Sequence, residues 1–439
     1  MPTVALSMIV RDEEQTLPAC LETVKGLVDE MVIADTGSTD HTLDVARRFG
    51  ARCLSIPWEN DFARTRNRAL EEVRSDWVLA LDADEQLDEK AKESVPRLLK
   101  APAIDGYIVT ILDYLYDLNY KVWDFPAKIN QSGFEAARNF PAYVEHTNVR
   151  LYRRSPQIYY VGAVHESVGP RILKLGGRLH KADFVIHHFG LVTDVATRIR
   201  KNCLYRELGR RKVQETPHEA QAHLELGLAE LDFNNHEEAL KCFRAACRLN
   251  PRLGTAWSFQ GLALVCLGRA AEALEPLERA KSLCGHSAAL AETEGDAHYN
   301  LQDFDAARRC YKRALNSLDQ APWVESKLGL AEVRLGRTRA GLKRLRHAVE
   351  EAPRNGEIHD RLIQAYVWLN QVEEAADAAD HKLATTAPDP QSFLRTASIH
   401  AQLQRWEKAV AILRAGLSLF PQVEKLQQCF LEVAGKIQI

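Results

Sequence analysis

The stretch "DWVLALDADEQL", Asp76 to Leu87, decides how the N-terminal part of the chain folds. Val78 to Leu81 form an apolar run of strand length, and the run leads directly into three carboxylates, Asp82, Asp84 and Glu85. A short continuous apolar run is the pattern of a strand buried on both faces. Like charges crowded at the end of such a strand repel one another and lose hydration. A hard divalent cation would remove the conflict, because such ions prefer carboxylate oxygen, and a bound diphosphate would complete the ion's ligands. An acidic turn that caps the strand end is the alternative.

Around this stretch, residues 1 to about 190 alternate strand-like and helix-like segments. "TVALSMIV", "EMVIADT", "ARCLSIP" and "WVLALDA" have strand character. Helical patterns lie between and after them, near Glu14–Val28, Asp40–Phe49, Ala63–Val73 and Glu89–Lys100. Such alternation predicts βαβ units and a mainly parallel sheet, with ligands bound at the carboxyl ends of the strands. Four further strand candidates, "GYIVTILDY", "NVRLYR", "IYYVGAVHESV" and "DFVIHHF", follow without strong helices, so the sheet is expected to become mixed.

After about residue 217 the sequence repeats. Ala239, Ala273, Ala307, Gly341, Ala375 and Ala409 recur every 34 residues, and Gly227, Gly261, Gly295 and Gly329 keep the same period. Phe243, Leu277, Tyr311, Leu345 and Leu413 each follow the small residue by four, and Pro251, Pro353 and Pro421 mark matching ends. Small residues let two antiparallel helices approach, the large one fills the groove, and proline ends the second helix. This pattern resembles the tetratricopeptide repeat. Six repeats are predicted over residues 218–421, the last two degenerate at Ile363, Ala379 and Ala397, with a capping helix in 422–439. Residues 191–217 join the two parts. Their core, "RIRKNCLYRELGRRK", is a basic helix, either a solvated face or a contact for a membrane surface or an acidic partner.

The chain is 46% hydrophobic and 27% charged, with a formal net charge of -3, so no global field points to nucleic acid. No apolar run approaches the roughly 20 residues of a membrane span. The first residues do not have the pattern of a signal peptide. The nine cysteines never form CxxC and are expected as reduced core thiols in a cytoplasmic protein, not as a zinc site.

Four motifs occur in order: "IVRDEEQTLPACLETV", "VIADTGSTDHTLDVARRFGA", "WENDFARTRNRALEEV" and "WVLALDADE". In this order and spacing they resemble the nucleotide-sugar-binding half of family 2 glycosyltransferases of the GT-A fold, over roughly the first 190 residues. With the repeats attached, the architecture is similar to bacterial peptide S-glycosyltransferases. One departure is Asp12, where the family usually has asparagine. The resemblance implies an α/β, Rossmann-like catalytic domain with a mixed sheet, followed by an all-α repeat solenoid.

It also implies roles. Glu13 and Asp35 would lie at the nucleoside, where carboxylates accept hydrogen bonds from uracil N–H and ribose hydroxyls. In "GSTD", Gly37 allows a tight turn, and Ser38, Thr39 or Asp40 either meets the donor or caps the next helix. Arg66 and Asn67 align with an Arg-Asn pair at the nucleotide side, or belong to a basic helix face. Asp82 would lie near the ribose and Asp84 on the metal, Mg²⁺ or Mn²⁺, with Glu85 supporting them. "VGAVHESV" supplies Glu166 as general base, with His165 as orienter or alternative base; a structural strand-edge pair is the other reading. In "VIHHFG", His188 would complete the metal shell or touch the diphosphate, while His187 points to the opposite face of its strand.

Residues 113 to 148 are rich in aromatics, from Tyr114 and Tyr116 through Tyr120, Trp123, Phe125, Phe134 and Phe140 to Tyr143. They would form an acceptor lid or a small packed subdomain. The repeats would recruit a peptide or protein acceptor, or hold a homodimer. Their inner positions, Leu224, Leu228, Ser258, Leu262, Glu292 and Asp296, lack the Lys and Asn of a peptide-carboxylate clamp. The implied activity is inverting, metal-dependent sugar transfer from a nucleotide sugar, most simply a UDP-sugar. A cell-envelope lipid or polysaccharide acceptor is one alternative. A non-catalytic scaffold with a degenerate transferase domain is the other.

Overall fold

The computed structural model describes residues 2–116, 127–161, 166–190, 195–318 and 321–436, with the backbone alone for 195–201. The N-terminal part runs β1 (Val4–Val10), α1 (Leu17–Val24), β2 (Glu30–Asp35), α2 (Thr42–Arg48), β3 (Arg52–Ser55), α3 (Phe62–Glu71), β4 (Trp77–Ala80) and β5 (Glu85–Leu87). It continues through α4 (Ala91–Leu98), β6 (Gly106–Leu115), β7 (Lys128–Ile129), β8 (Ala142–Arg153), α5 (Gly169–Lys174) and β9 (Leu179–His188). The strands form one mixed sheet in the order β3-β2-β1-β4-β8-β6-β9-β5, with β7 paired to β8. β1 to β4 are mutually parallel; β8 enters antiparallel against β4.

β4 explains the apolar run. Its side chains alternate between two cores. Trp77, Leu79 and Leu81 pack with residues of α1 and α4, while Val78 and Ala80 pack with Ala63, Ala69 and Ile172 on the other face. The chain leaves β1 towards β2 and β3 and returns on the far side of β1 as β4. That reversal places a crevice outside the ends of β1 and β4.

One strand expectation fails. "IYYVGAVHESV" is not a strand in its described residues, which make only an isolated bridge between Val161 and Ser167. Ile158 and Tyr160 are buried, but the Tyr160 backbone is held by a side chain. Asn67 accepts from Tyr160 N–H (2.7 Å) and donates to its carbonyl (3.0 Å). Alternating aromatics here signal burial without a ladder.

The connector is helix α6 (Val195–Glu215). Six helix pairs follow: α7 (Ala220–Asp232) with α8 (His236–Leu249), α9 (Gly254–Cys266) with α10 (Ala270–Cys284), α11 (Ala288–Asn300) with α12 (Phe304–Leu315). Then come α13 (Pro322–Arg334) with α14 (Thr338–Glu351), α15 (Gly356–Trp368) with α16 (Val372–Thr385), α17 (Pro390–Gln402) with α18 (Trp406–Leu419), and a last helix α19 (Glu424–Ala434). A Cβ at Gly227 would lie 2.5 Å from the Phe243 ring, which is why each small residue faces a large one. The chain forms two compact units, Met1–Ala256 and Trp257–Ile439, so α6 and the first repeat belong with the sheet. Within that first unit three basic residues of α6 turn to α7 and its C-terminal end. Arg210 meets the buried Glu230 (2.7 Å), Lys212 meets Glu225 (2.7 Å), and Arg206 lies over Phe233.

In the second unit, Glu292 and Asp296 also turn inward. Lys327 sits 2.7 Å from Glu292 and 2.5 Å from Asp296, and Trp323 donates to Glu292 (3.2 Å).

Candidate active site

The site grows from strand pairing. β5 runs antiparallel to β9 with Glu85 opposite His188, so the Asp-Ala-Asp-Glu turn meets the His-His-Phe-Gly segment. Phe189 N–H closes the junction by donating to the Asp84 carbonyl (3.0 Å). β6 lies parallel on the other side of β9, with Asp113 opposite His188. His188 thus stands between two carboxylates. Its Nε2 is 3.5 Å from Asp84 and its Nδ1 is 2.5 Å from Asp113. The second oxygen of Asp113 reaches His146 Nδ1 at 3.1 Å. Burial works against the charged form of His188, but Asp84 and Asp113 outweigh it and hold the imidazole well above its ordinary range.

Two arginines resolve the crowding at the strand end. Arg66 of α3 donates to Asp82 (2.6 Å) and to Glu166 (2.6 Å). Arg150 of β8 donates to Glu85 (2.7 Å) and lies 3.4 Å from Asp82. Burial resists the Asp82 charge, yet Arg66 and then Arg150 keep its carboxyl well below the usual range. Burial pushes Glu85 up to about 7, against Arg150. The repulsion expected from the sequence is therefore met by guanidinium groups, and no ion is needed to neutralise Asp82 and Glu85.

A cation site does fit at Asp84 and His188. A Cβ at Gly190 would lie 2.4 Å from His188 Nε2 and 2.5 Å from an Asp84 oxygen, so the glycine keeps the space between the two donors open. Asp113 on the far ring nitrogen is the usual partner of a metal-binding histidine. One carboxylate and one imidazole suit a divalent ion that takes its other ligands from a diphosphate and water. Among the described residues the donor trio that converges lies elsewhere, at Glu294, His298 and Cys310. Arg313 already donates to both Glu294 and Cys310, and Lys281 lies 3.5 Å from Glu294, so cations fill that place.

A cavity of about 540 Å³ opens above the strand ends, and Glu13, Arg66, Asp82, Asp84, Glu166 and His188 all line it. Asp35 and Asn67 are not among its walls. The Asp35 carboxylate accepts from Gly37 N–H (3.2 Å) and Ser38 N–H (3.1 Å), which shapes the turn after β2, while the adjacent Thr36 reaches the cavity. Asp40 accepts from Thr42 N–H (2.9 Å), the first residue of α2, whose N-cap position is His41. Asp12 has φ +53° and accepts from Thr39 N–H (2.7 Å), so it ties the loop after β1 to that after β2. His165 lies outside the described residues.

His187 faces away from His188. It stacks on Phe134 at 3.7 Å and bonds the Tyr114 hydroxyl at 2.7 Å, and burial lowers its pKa to about 4. Tyr114, Phe134, Phe140 and Tyr143 pack with Phe189 in one cluster, while Tyr120, Trp123 and Phe125 lie outside the described residues.

The sequence did not single out Arg150, Asp113 or Tyr205. Arg150 stands between Val149 and Leu151 in a strand, and Asp113 follows "GYIVTIL"; a lone charge in an apolar strand is a readable signal. Tyr205 comes from α6 and carries no such mark.

Fold and site together define a doubly wound α/β domain with a cavity lined by charged residues at its strand ends. Residues 6–158 match the Glycosyl transferase family 2 model, and residues 205–253, 224–288 and 293–317 match Tetratricopeptide repeat models. The chain carries an N-terminal family 2 glycosyl transferase domain and C-terminal tetratricopeptide repeats. It is 28% identical over 141 residues to the SPbeta prophage-derived glycosyltransferase SunS of Bacillus subtilis, covering 30% of this chain and 33% of the relative. It is 49% identical over 87 residues to a TPR repeat-containing protein of Synechococcus elongatus, covering 20% of this chain and 22% of the relative. These matches span a third or less of each relative's length. A tetratricopeptide repeat protein from Parabacteroides merdae superposes with a TM-score of 0.45 and 13% identity, over 54% of this chain and 94% of that one. No helix among the described residues is long and apolar enough to cross a membrane.

Proposed function

We propose that the protein is an inverting glycosyltransferase that moves a sugar from a UDP-sugar to a peptide or protein acceptor in the cytoplasm. The observation that carries this reading is the convergence of Asp82, Asp84, Glu166 and His188 on one strand-end cavity. Glu13 and the turn held by Asp35 suit the nucleoside, and Arg66 ties the donor-side Asp82 to Glu166. Asn67 serves that side indirectly, by fixing the chain at Tyr160 ahead of Glu166. Glu166, with His165 as orienter, accepts the proton of the acceptor group as that group bonds to the anomeric carbon and the sugar–phosphate bond breaks on the opposite face. A bound Mg²⁺ or Mn²⁺, held by Asp84 and His188, would neutralise the diphosphate as charge develops on it.

The repeats recruit the acceptor or hold a homodimer. The similarity to peptide S-glycosyltransferases supports a peptide acceptor. The presence of Asp82, Asp84 and Glu166 speaks against a degenerate scaffold. Hydrolysis of UDP-sugars, followed as UDP release with Mn²⁺ or Mg²⁺, tests the reading. Release that stops in excess chelator is expected. Full release in chelator removes the metal, and no release from any sugar nucleotide returns the scaffold reading.

A further inference from the structure

We propose that the connector helix completes the active site: Tyr205, with Trp58 and Phe62, forms an aromatic wall that holds the transferred sugar ring. The inference rests on the donor reading above. Trp58, Phe62 and Tyr205 line the same cavity as Asp82, Asp84 and Glu166. Their rings are continuous, Trp58 edge-on to Phe62 at 4.7 Å and Phe62 tilted to Tyr205 at 6.0 Å. Asp61 starts α3 by accepting from Arg64 N–H, which places Phe62 one turn before Arg66. Phe62 of the wall and the guanidinium that joins Asp82 to Glu166 therefore come from one helix.

The occupant follows from where the wall stands: Phe62 precedes Arg66, which joins Asp82 to Glu166, and Tyr205 lies against Phe62 in the same cavity. Burial first, then Glu166, Asp82 and Asp84, push its phenol up to about 12. Asp84 is assigned to the diphosphate side and Glu166 to the base, and both line the cavity with Tyr205. What lies between a diphosphate and the base is the sugar. A pyranose offers C–H faces to an aromatic ring and hydroxyls to a phenol, and Tyr205 supplies both contacts, its O–H remaining protonated at neutral pH. Residue 205 lies beyond the transferase match at 6–158. Sugar choice would therefore depend on the helix that leads into the repeats, within the unit that ends at Ala256.

The test is calorimetric titration of the full chain, with Mn²⁺, using UDP, UDP-glucose and UDP-N-acetylglucosamine. Tyr205→Ala is expected to leave UDP affinity unchanged and to weaken both sugar nucleotides by about tenfold, the loss of a stacked ring and its hydroxyl. Tyr205→Phe keeps the ring and should alter the ratio between the two sugars while it retains most of the affinity. Equal weakening of UDP and the sugar nucleotides, or no weakening of either by both variants, overturns the sugar wall and leaves the donor reading standing. A wild-type protein that binds none of the three overturns the donor reading itself, and the wall with it.

Discussion

Both units bury charge, and they do so differently. In the sheet-bearing unit, Arg66 joins Asp82 and Glu166, partners 16 and 100 residues away in sequence. In the repeat unit, Lys327 joins Asp296 and Glu292, partners 31 and 35 residues away, about one repeat period. Both clusters obey the rule that buried charges must be paired. The repeat cluster links successive repeats as a stitch. The sheet cluster gathers groups from α3, the turn after β4, β5, β8 and a loop around open space at the strand ends. Convergence of distant segments on a cavity, not burial of charge, separates a site from a stitch.

The largest effect should come from the convergent cluster. Asp84→Ala is expected to abolish UDP-sugar hydrolysis, a loss beyond roughly 10²–10³-fold for one electrostatic group. Its thermal unfolding should stay close to wild type, because Arg66 and Arg150 still hold Asp82 and Glu85. Rates and melting curves from one preparation check both halves of that statement. A stable variant at wild-type rate would demote Asp84 to a turn residue. Next comes Glu166→Gln, which keeps the acceptor oxygen for Arg66 but cannot take a proton. Turnover with a hydroxyl acceptor should drop roughly 10²–10⁴-fold with donor affinity little changed. A thiol acceptor should lose less, since some thiolate exists near neutral pH. Unchanged turnover with a hydroxyl acceptor would pass the base role to His165.

The contrast also explains what could be read in advance. The strand-helix alternation was legible because β4 is buried on both faces, so its apolar run is continuous. The repeats were legible because Gly227, Gly261 and Gly295, one period apart, face the large side chains Phe243, Leu277 and Tyr311. The crowded carboxylates Asp82 and Asp84 line the strand-end cavity, but arginines offset the charge of Asp82 and Glu85. A sequence does not display that Arg150, 65 residues beyond Glu85, will pair with it. Residues 158–168 alternate like a strand, but Asn67 holds the Tyr160 backbone, so the local pattern misleads. Tyr205 was hidden because its role depends on where a basic helix docks, and Arg206, Arg210 and Lys212 beside it make that docking.

A smaller effect should separate ligand from support inside the site. Asp113→Asn keeps an oxygen that can accept from His188 Nδ1–H but removes the charge shared with His146. Loss of such a partner typically costs about 10–100-fold in metal affinity. Titration of Mn²⁺ in the presence of UDP, read by electron paramagnetic resonance, measures it directly. Unaltered affinity would make Asp113 a purely structural link between β6 and β9.

The smallest effect on catalysis should come from the stitch, although the fold will feel it. A Cβ at Gly295 would lie 2.5 Å from the Tyr311 ring, which is buried between α11 and α12. The Tyr311 hydroxyl donates to Asp296 (2.8 Å), and Asp296 in turn grips Lys327. Gly295→Ala must therefore displace a ring and loosen a buried ion pair, an overpacking cost of about 1–3 kcal/mol. Repeats are stabilised mainly through their neighbours, so the loss should fall on the urea transition of the second unit. Hydrolysis of UDP-sugar should stay within about twofold of wild type, as for independent sites. If hydrolysis falls in step with stability, the two units fold as one cooperative body, and the division between a site and a stitch does not extend to their energetics.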